Sequence, residues 1–134
     1  MVIGRNVHAR QAAFGGLEVA YREGGSGKRL VLVHGLGQDH SMWAAFQAEL
    51  SDHATIAYDL RGHGGTPLGD AEGTVAQLGR DLISILESFG PSTCIGFSLG
   101  GVVVLWVAAE RPDLVEGVVA VATSSVVGLS LIHI

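Results

Sequence analysis

The chain has one cysteine, three prolines and eight lysines and arginines in 134 residues. A single thiol, Cys94, excludes an internal disulfide framework, and its place in an apolar run marks it as a small buried side chain in a reducing compartment. The few cations form no cluster under a formal net charge of -5, so the basic face that a phosphate backbone requires is missing and no nucleic acid partner is expected. Paired histidines and C-x-x-C are absent, so no metal is expected. No G-x-G-x-x-G occurs, because Gly35 and Gly37 lead to His40, and no cofactor is expected. Gly24-Gly25-Ser26-Gly27-Lys28 fails as a phosphate loop, since Arg29 follows Lys28 and the segment precedes a strand.

Charge is scarce as well, at 16% of residues against a typical quarter. Two uncharged stretches, Gly90 to Ala109 and Gly117 to Ile134, approach the length that spans a bilayer. The first contains Pro91, Ser92, Thr93, Ser98 and four glycines, and the second Thr123, Ser124, Ser125, Ser130 and His133. That helix-breaking, polar content argues against spanning, and no membrane partner is expected. The N-terminus lacks the uninterrupted apolar stretch of a secretory signal, so the expected location is cytoplasmic.

What is present is hydrophobic residue, at 48%, and glycine, at 20 residues. Such a chain is mostly interior with many tight backbone approaches, and its length suits one domain. Strand and helix patterns alternate along it. Leu17 to Arg22 alternates apolar with polar, and Leu30 to Val33 is a continuous run that fits a strand covered on both faces. Ser41 to Leu50 carries apolar residues at helical spacing, and Ala54 to Tyr58 returns to strand. Thr74 caps a second helix with an apolar stripe from Val75 to Phe89, stopped by Gly90-Pro91. Thr93 to Phe97, Leu99 to Glu110 and Val115 to Ala122 read as strand, helix and strand. The fold class expected is α/β, a mainly parallel sheet with helices on both faces. Function in such folds gathers at the carboxyl ends of the strands.

Three segments follow strands directly. Gly96-Phe97-Ser98-Leu99-Gly100-Gly101 matches G-x-S-x-G at a strand-to-helix junction, where a serine held in a strained turn exposes its Oγ and glycines prevent clashes. His34-Gly35-Leu36-Gly37 follows Val33. The N-H groups of Leu36 and Leu99 would suit a developing oxyanion, with Gly35 and Gly37 allowing close backbone approach and His34 shaping the loop rather than acting as a base. Asp59-Leu60-Arg61-Gly62-His63-Gly64-Gly65-Thr66-Pro67 follows Tyr58 and reads as a tight turn locked by side-chain to backbone hydrogen bonds.

These three segments, in this order and spacing, resemble the α/β-hydrolase superfamily, in particular the group containing 3-oxoadipate enol-lactonases and small carboxylesterases. The resemblance runs from about Phe14 to Val127 and includes Arg111-Pro112-Asp113-Leu114-Val115 after the last helix. It implies that Ser98 is a catalytic nucleophile, that the backbone N-H groups of Leu36 and Leu99 form an oxyanion hole, and that His34, Gly35, Gly37, Gly96 and Gly100 support them. A serine here also differs from the aspartate of the related haloalkane dehalogenases and epoxide hydrolases.

The resemblance also implies a triad running nucleophile, acid, histidine. After Ser98 the chain offers Glu110, Asp113 and Glu116 as acids and His133 as histidine, none placed after a later strand, so Ser98, Asp113 and His133 are rejected as a triad. Residues 1-128 are read as the N-terminal part of one α/β-hydrolase core. Leu129 to Ile134 is what results from translating CTG TCT CTT ATA CAC ATC, which resembles a transposon end used in sequencing-library preparation, so 129-134 reads as a non-native tail. The expected activity of the longer parent is serine hydrolysis of an ester, thioester or lactone with a small-molecule substrate. This chain by itself is expected to be inactive. The alternative is a non-catalytic fold member that binds a small ligand, and the sequence leaves the oligomeric state open.

Overall fold

The computed structural model describes residues 7–123. The expected non-native tail and His133 lie outside them. Six strands form one mixed sheet in the order β1-β2-β4-β3-β5-β6. They are β1 Val7–Phe14, β2 Leu17–Gly24, β3 Arg29–Val33, β4 Ala54–Tyr58, β5 Ser92–Phe97 and β6 Val115–Val121. β1 and β2 form a hairpin, β2 pairs antiparallel with β4, and the pairs β3/β4, β3/β5 and β5/β6 are parallel. The sheet is therefore mostly parallel, as expected. Among the described residues no helix is long and apolar enough to cross a membrane.

The β1/β2 hairpin lies outside the alternation expected from the sequence, because β1 is mostly exposed. Gly15 and Gly16, at φ 57° and 83°, make the two-residue turn that suits the twist of paired strands. The segment expected to be one helix from Ser41 to Leu50 is instead a 3-10 turn, His40–Trp43, leading into α1, Ala44–Glu49. Asp39 caps this turn by accepting the Ser41 N-H.

Helix α2, Val75–Phe89, begins at Thr74, whose side chain accepts the Gln77 N-H at 3.1 Å, and stops at Gly90 with φ 102°. Its stripe of Val75, Leu78, Leu82, Ile85 and Leu86 is fully buried against one face of the sheet, where Val31, Val33, Ile56 and Tyr58 point. Leu32, Ala57 and Ile95 point the other way, to a smaller cluster with Trp43. The alternation of Val31, Leu32 and Val33 between two buried faces explains why β3 is apolar throughout. Helix α3, Leu99–Glu110, buries Val103, Val104 and Val107, and crosses α2 where Gly79 leaves room for the Trp106 ring. A Cβ at Gly79 would lie 2.1 Å from Trp106 Cε3.

The chain passes from β4 to β5 over β3, so connections leave β3 in opposite directions. In open α/β sheets the carboxyl ends of the strands at such a reversal are where ligand sites form. Residues 34–40, 59–74 and 98 all emerge there.

Candidate active site

Ser98 joins β5 to α3 with φ 54° and ψ -117°. Ala122 is the one other non-glycine with positive φ among the described residues. A side chain in that region costs about 1–3 kcal/mol and persists where the surroundings over-determine it. They do so here through backbone bonds. The Ser98 N-H donates to the Val121 carbonyl at 2.9 Å, and its own carbonyl accepts the Gly101 and Val102 N-H groups and the Thr123 hydroxyl, the last at 2.8 Å. The Ser98 side chain makes no cap bond to α3, and its Oγ, at the half-buried head of the helix, has no hydrogen-bond partner among the described residues.

The glycines around it mark contacts that no side chain could enter. A Cβ on Gly96 would lie 2.4 Å from the Gly100 carbonyl oxygen, and one on Gly100 would lie 2.1 Å from the Val33 carbonyl oxygen and 2.5 Å from that of His34. The first turn of α3 is thus pressed against the end of β3. Gly35 in turn sits over Phe97, since a Cβ there would meet the Phe97 ring at 3.2 Å. The loop after β3 and the turn holding Ser98 are neighbours, 63 residues apart in sequence.

Hydrogen bonds in that loop are almost fully assigned. The Gly35 N-H donates to Gln38 Oε1 at 3.0 Å, the Gly37 N-H to His63 Nε2 at 3.0 Å, and the Gln38 N-H to the Gly35 carbonyl at 3.1 Å. The Leu36 N-H has no acceptor among the described residues, nor has the Leu99 N-H at the start of α3. Leu36 is also the most exposed large apolar residue among the described residues, at 60%. Free N-H groups at a helix start and in a glycine loop are suited to an anion.

His34 is fully buried. Leu60 donates its N-H to His34 Nε2 at 3.0 Å, so the proton resides on Nδ1, which donates to the Gly35 carbonyl at 2.7 Å. Burial lowers its pKa below the usual 6.5, partly offset by the Gly35 carbonyl. A neutral imidazole with both nitrogens engaged is a brace for the loop rather than a base.

The turn after β4 is locked around Asp59, also fully buried. Its Oδ1 accepts from the His40 N-H at 2.7 Å and lies 2.8 Å from His40 Nδ1, while its Oδ2 accepts the Gly65 N-H at 2.9 Å. Gly64, at φ 50°, has no space for a Cβ beside that carboxylate. Arg61 leaves the turn to form a two-pronged pair with Asp81 of α2 at 2.9 and 2.8 Å. Thr66 Oγ1 accepts the Ala20 N-H and ties the turn to β2. Asp39, His40 and Asp59 bring possible metal-ligand atoms within 4.8 Å of one another. Their near oxygens are already taken by the Ser41, His40 and Gly65 donors, so the cluster is accounted for as a turn lock.

Asp113 lies past the far end of α3, a helix of 12 residues and hence roughly 18 Å long, and is paired there with Arg111 at 2.9 Å. It cannot serve Ser98. A cleft of about 530 Å³ lined by Glu23, Arg29, Thr55, Ile56 and Phe89 also lies away from Ser98, at the amino ends of β3 and β4. Gln38, His40 and Thr123 also brace the site and carry no motif in the sequence. Their partners are side-chain to backbone contacts, some across 19 to 25 residues, and no local pattern announces them.

Comparison with known proteins agrees with the fold. The family model described as alpha/beta hydrolase fold matches residues 28–132. The chain belongs to that family. It is 34% identical over 104 residues to 3-oxoadipate enol-lactonase 2 of Acinetobacter baylyi, covering 74% of this chain and 38% of the relative. It is 31% identical over 112 residues to the pimeloyl-[acyl-carrier protein] methyl ester esterase of Aeromonas hydrophila, covering 81% and 42%. The crystal structure of a hydrolase from Pseudomonas aeruginosa superposes with a TM-score of 0.83 at 31% identity, covering 92% of this chain and 49% of that one. The chain spans 33% to 42% of the length of these and other curated relatives.

Proposed function

We propose that the protein from which this chain comes is a serine hydrolase that cleaves carboxylic ester, thioester or lactone bonds of a small-molecule substrate through an acyl-enzyme on Ser98. Residues 1-128 supply the N-terminal part of its single core domain, and the acid and the histidine of the triad belong to residues outside this chain. The observation that carries the reading is the turn at Ser98, whose strained φ of 54° is held by three backbone partners and a hydroxyl while Oγ has no partner among the described residues.

The chemistry follows from the site. A histidine accepts the Ser98 proton as Oγ attacks the substrate carbonyl, and the tetrahedral oxyanion receives the Leu36 and Leu99 N-H groups. The carbonyl reforms as the alcohol or thiol leaves with that proton, and water then repeats the sequence to release the acid. Each oxyanion donor is worth about 10² to 10³ in rate. Hydrolysis by acyl transfer is favoured by the likeness to an enol-lactonase and a methyl ester esterase.

The test is turnover of a panel of p-nitrophenyl esters and lactones by the full-length protein and by Ser98→Ala. Hydrolysis lost in Ser98→Ala supports the reading. Binding of those compounds with no turnover by the unaltered protein would leave a non-catalytic, ligand-binding member of the fold.

A further inference from the structure

The Gly37 N-H, one residue after Leu36, donates to a histidine 26 residues downstream. His63 lies in the turn after β4, half-buried, with its ring 5.1 Å from that of His34. Its Nε2 receives the Gly37 N-H at 3.0 Å, and a backbone N-H can only donate, so Nε2 carries no proton. The proton is therefore on Nδ1, 3.1 Å from the Arg61 carbonyl that accepts it. Arg61 in turn is fixed to α2 through Asp81. Gly37 has φ 79°, and a Cβ there would meet nothing within 4 Å, so within the loop its peptide is held by the turn bond from the Gln38 N-H to the Gly35 carbonyl at 3.1 Å and not by side-chain packing. Gly35, two residues earlier, is held by Gln38. The peptide of Leu36 is thus set by Gln38, through its backbone and side-chain bonds to Gly35, and by His63. Only the first lies in the same loop.

We propose that His63 is a positioning residue for the loop 34–38: by accepting the Gly37 N-H from outside the loop it keeps the Leu36 N-H directed at the site where charge develops. The role rests on the reading of Leu36 as an oxyanion donor. It adds the residue that orients that donor, and it makes the turn after β4 part of the machinery rather than a passive connection. His34 and His63 divide the work. His34 fixes the start of the loop through Gly35 and Leu60, and His63 fixes its end through Gly37.

The experiment compares the full-length protein with His63→Leu, which removes the acceptor, and His63→Gln, whose Oε1 can replace Nε2. In His63→Leu the Gly37 amide should exchange with solvent at least tenfold faster while the Ser98 amide, bonded to Val121, keeps its protection. Because each oxyanion donor is worth about 10² to 10³, kcat for a p-nitrophenyl ester should fall by roughly 10- to 100-fold with KM changed by less than about threefold, and His63→Gln should recover a substantial part. A long-range nitrogen spectrum of the unaltered protein should show the proton of His63 on Nδ1, a readout that survives even if His63→Leu does not fold. The proposal is overturned by a proton on Nε2, by unchanged Gly37 exchange in His63→Leu, or by faster exchange with unchanged kcat. Hydrolysis that persists in Ser98→Ala would instead defeat the acyl-enzyme reading, and the Gly37 exchange result would stand apart from it.

Discussion

Leu60 donates its backbone N-H to His34 Nε2 at 3.0 Å, joining the ends of β3 and β4 through a fully buried neutral ring. Protonating His34 would remove that acceptor and place a charge in a site where burial already lowers the pKa below 6.5. In the unfolded chain the same ring takes up its proton near 6.5, so below that pH the unfolded state binds more protons than the folded one. The stability present above about pH 6.5 is lost as pH falls. Urea midpoints measured from about pH 8 to pH 5 should therefore decline more steeply for the unaltered protein than for His34→Gln. Equal slopes would show that His34 is not held neutral.

Gly100 lies against the end of β3, where a Cβ would be 2.1 Å from the Val33 carbonyl oxygen. That atom is backbone in a central strand and has nowhere to move. Gly100→Ala should cost about 2–4 kcal/mol of stability, at or above the usual range for overpacking, although alanine is the better helix former. A chemical denaturation curve shifted by less than about 0.5 kcal/mol would mean that α3 is not pressed against β3 as described.

Arg61 and Asp81 form a bidentate pair whose side chains are 13% and 11% exposed. The Asp81 carboxylate raises the Arg61 pKa, opposing a smaller desolvation effect. Removing one partner leaves the other charge largely buried, which costs about 2–4 kcal/mol. Asp81→Ala should lose that amount, and Arg61→Ala with Asp81→Ala together should lose less than the sum of the two single changes. Additive losses in the double-mutant cycle would show that the two groups act independently.

Cys94 is fully buried on β5, and burial pushes its thiol up from 9.0 to about 12. At pH 8 the thiolate is scarce and shielded, so an aromatic disulfide reagent should label it only after unfolding by denaturant. The folded state holds this proton more tightly than the unfolded state, so its contribution is fully present below about pH 9 and is lost as pH rises toward 12. Rapid labelling in the native protein would contradict the packing of β5.

The strands of the sheet's centre and the two longer helices were readable because their burial repeats in sequence. The α2 stripe from Val75 to Leu86 and the run Leu30 to Val33 each state their own environment. β1 states nothing of the kind, since Val7–Phe14 is mostly exposed and mixes Arg10 and Gln11 with alanines, so apolar alternation never develops. Its one local signal was Gly15-Gly16 ahead of an alternating strand. The segment from Ser41 was readable as helix but not as a 3-10 turn, because the Asp39 cap and the contact of His40 with Asp59 tighten its start. At the candidate site the glycines and Ser98 were legible from the strand-to-helix junction. The braces were not, because the partners of His34 and His63 are backbone groups 26 residues away.

Whether Ser98 is a nucleophile is decided by mass-spectrometric mapping of the residue modified by a fluorophosphonate probe in the full-length protein. A nucleophilic Ser98 gives a single adduct on the peptide containing Gly96 to Gly101, located at Ser98, formed in native protein and absent after heat denaturation. An adduct on another serine, or equal labelling of native and denatured protein, would contradict it.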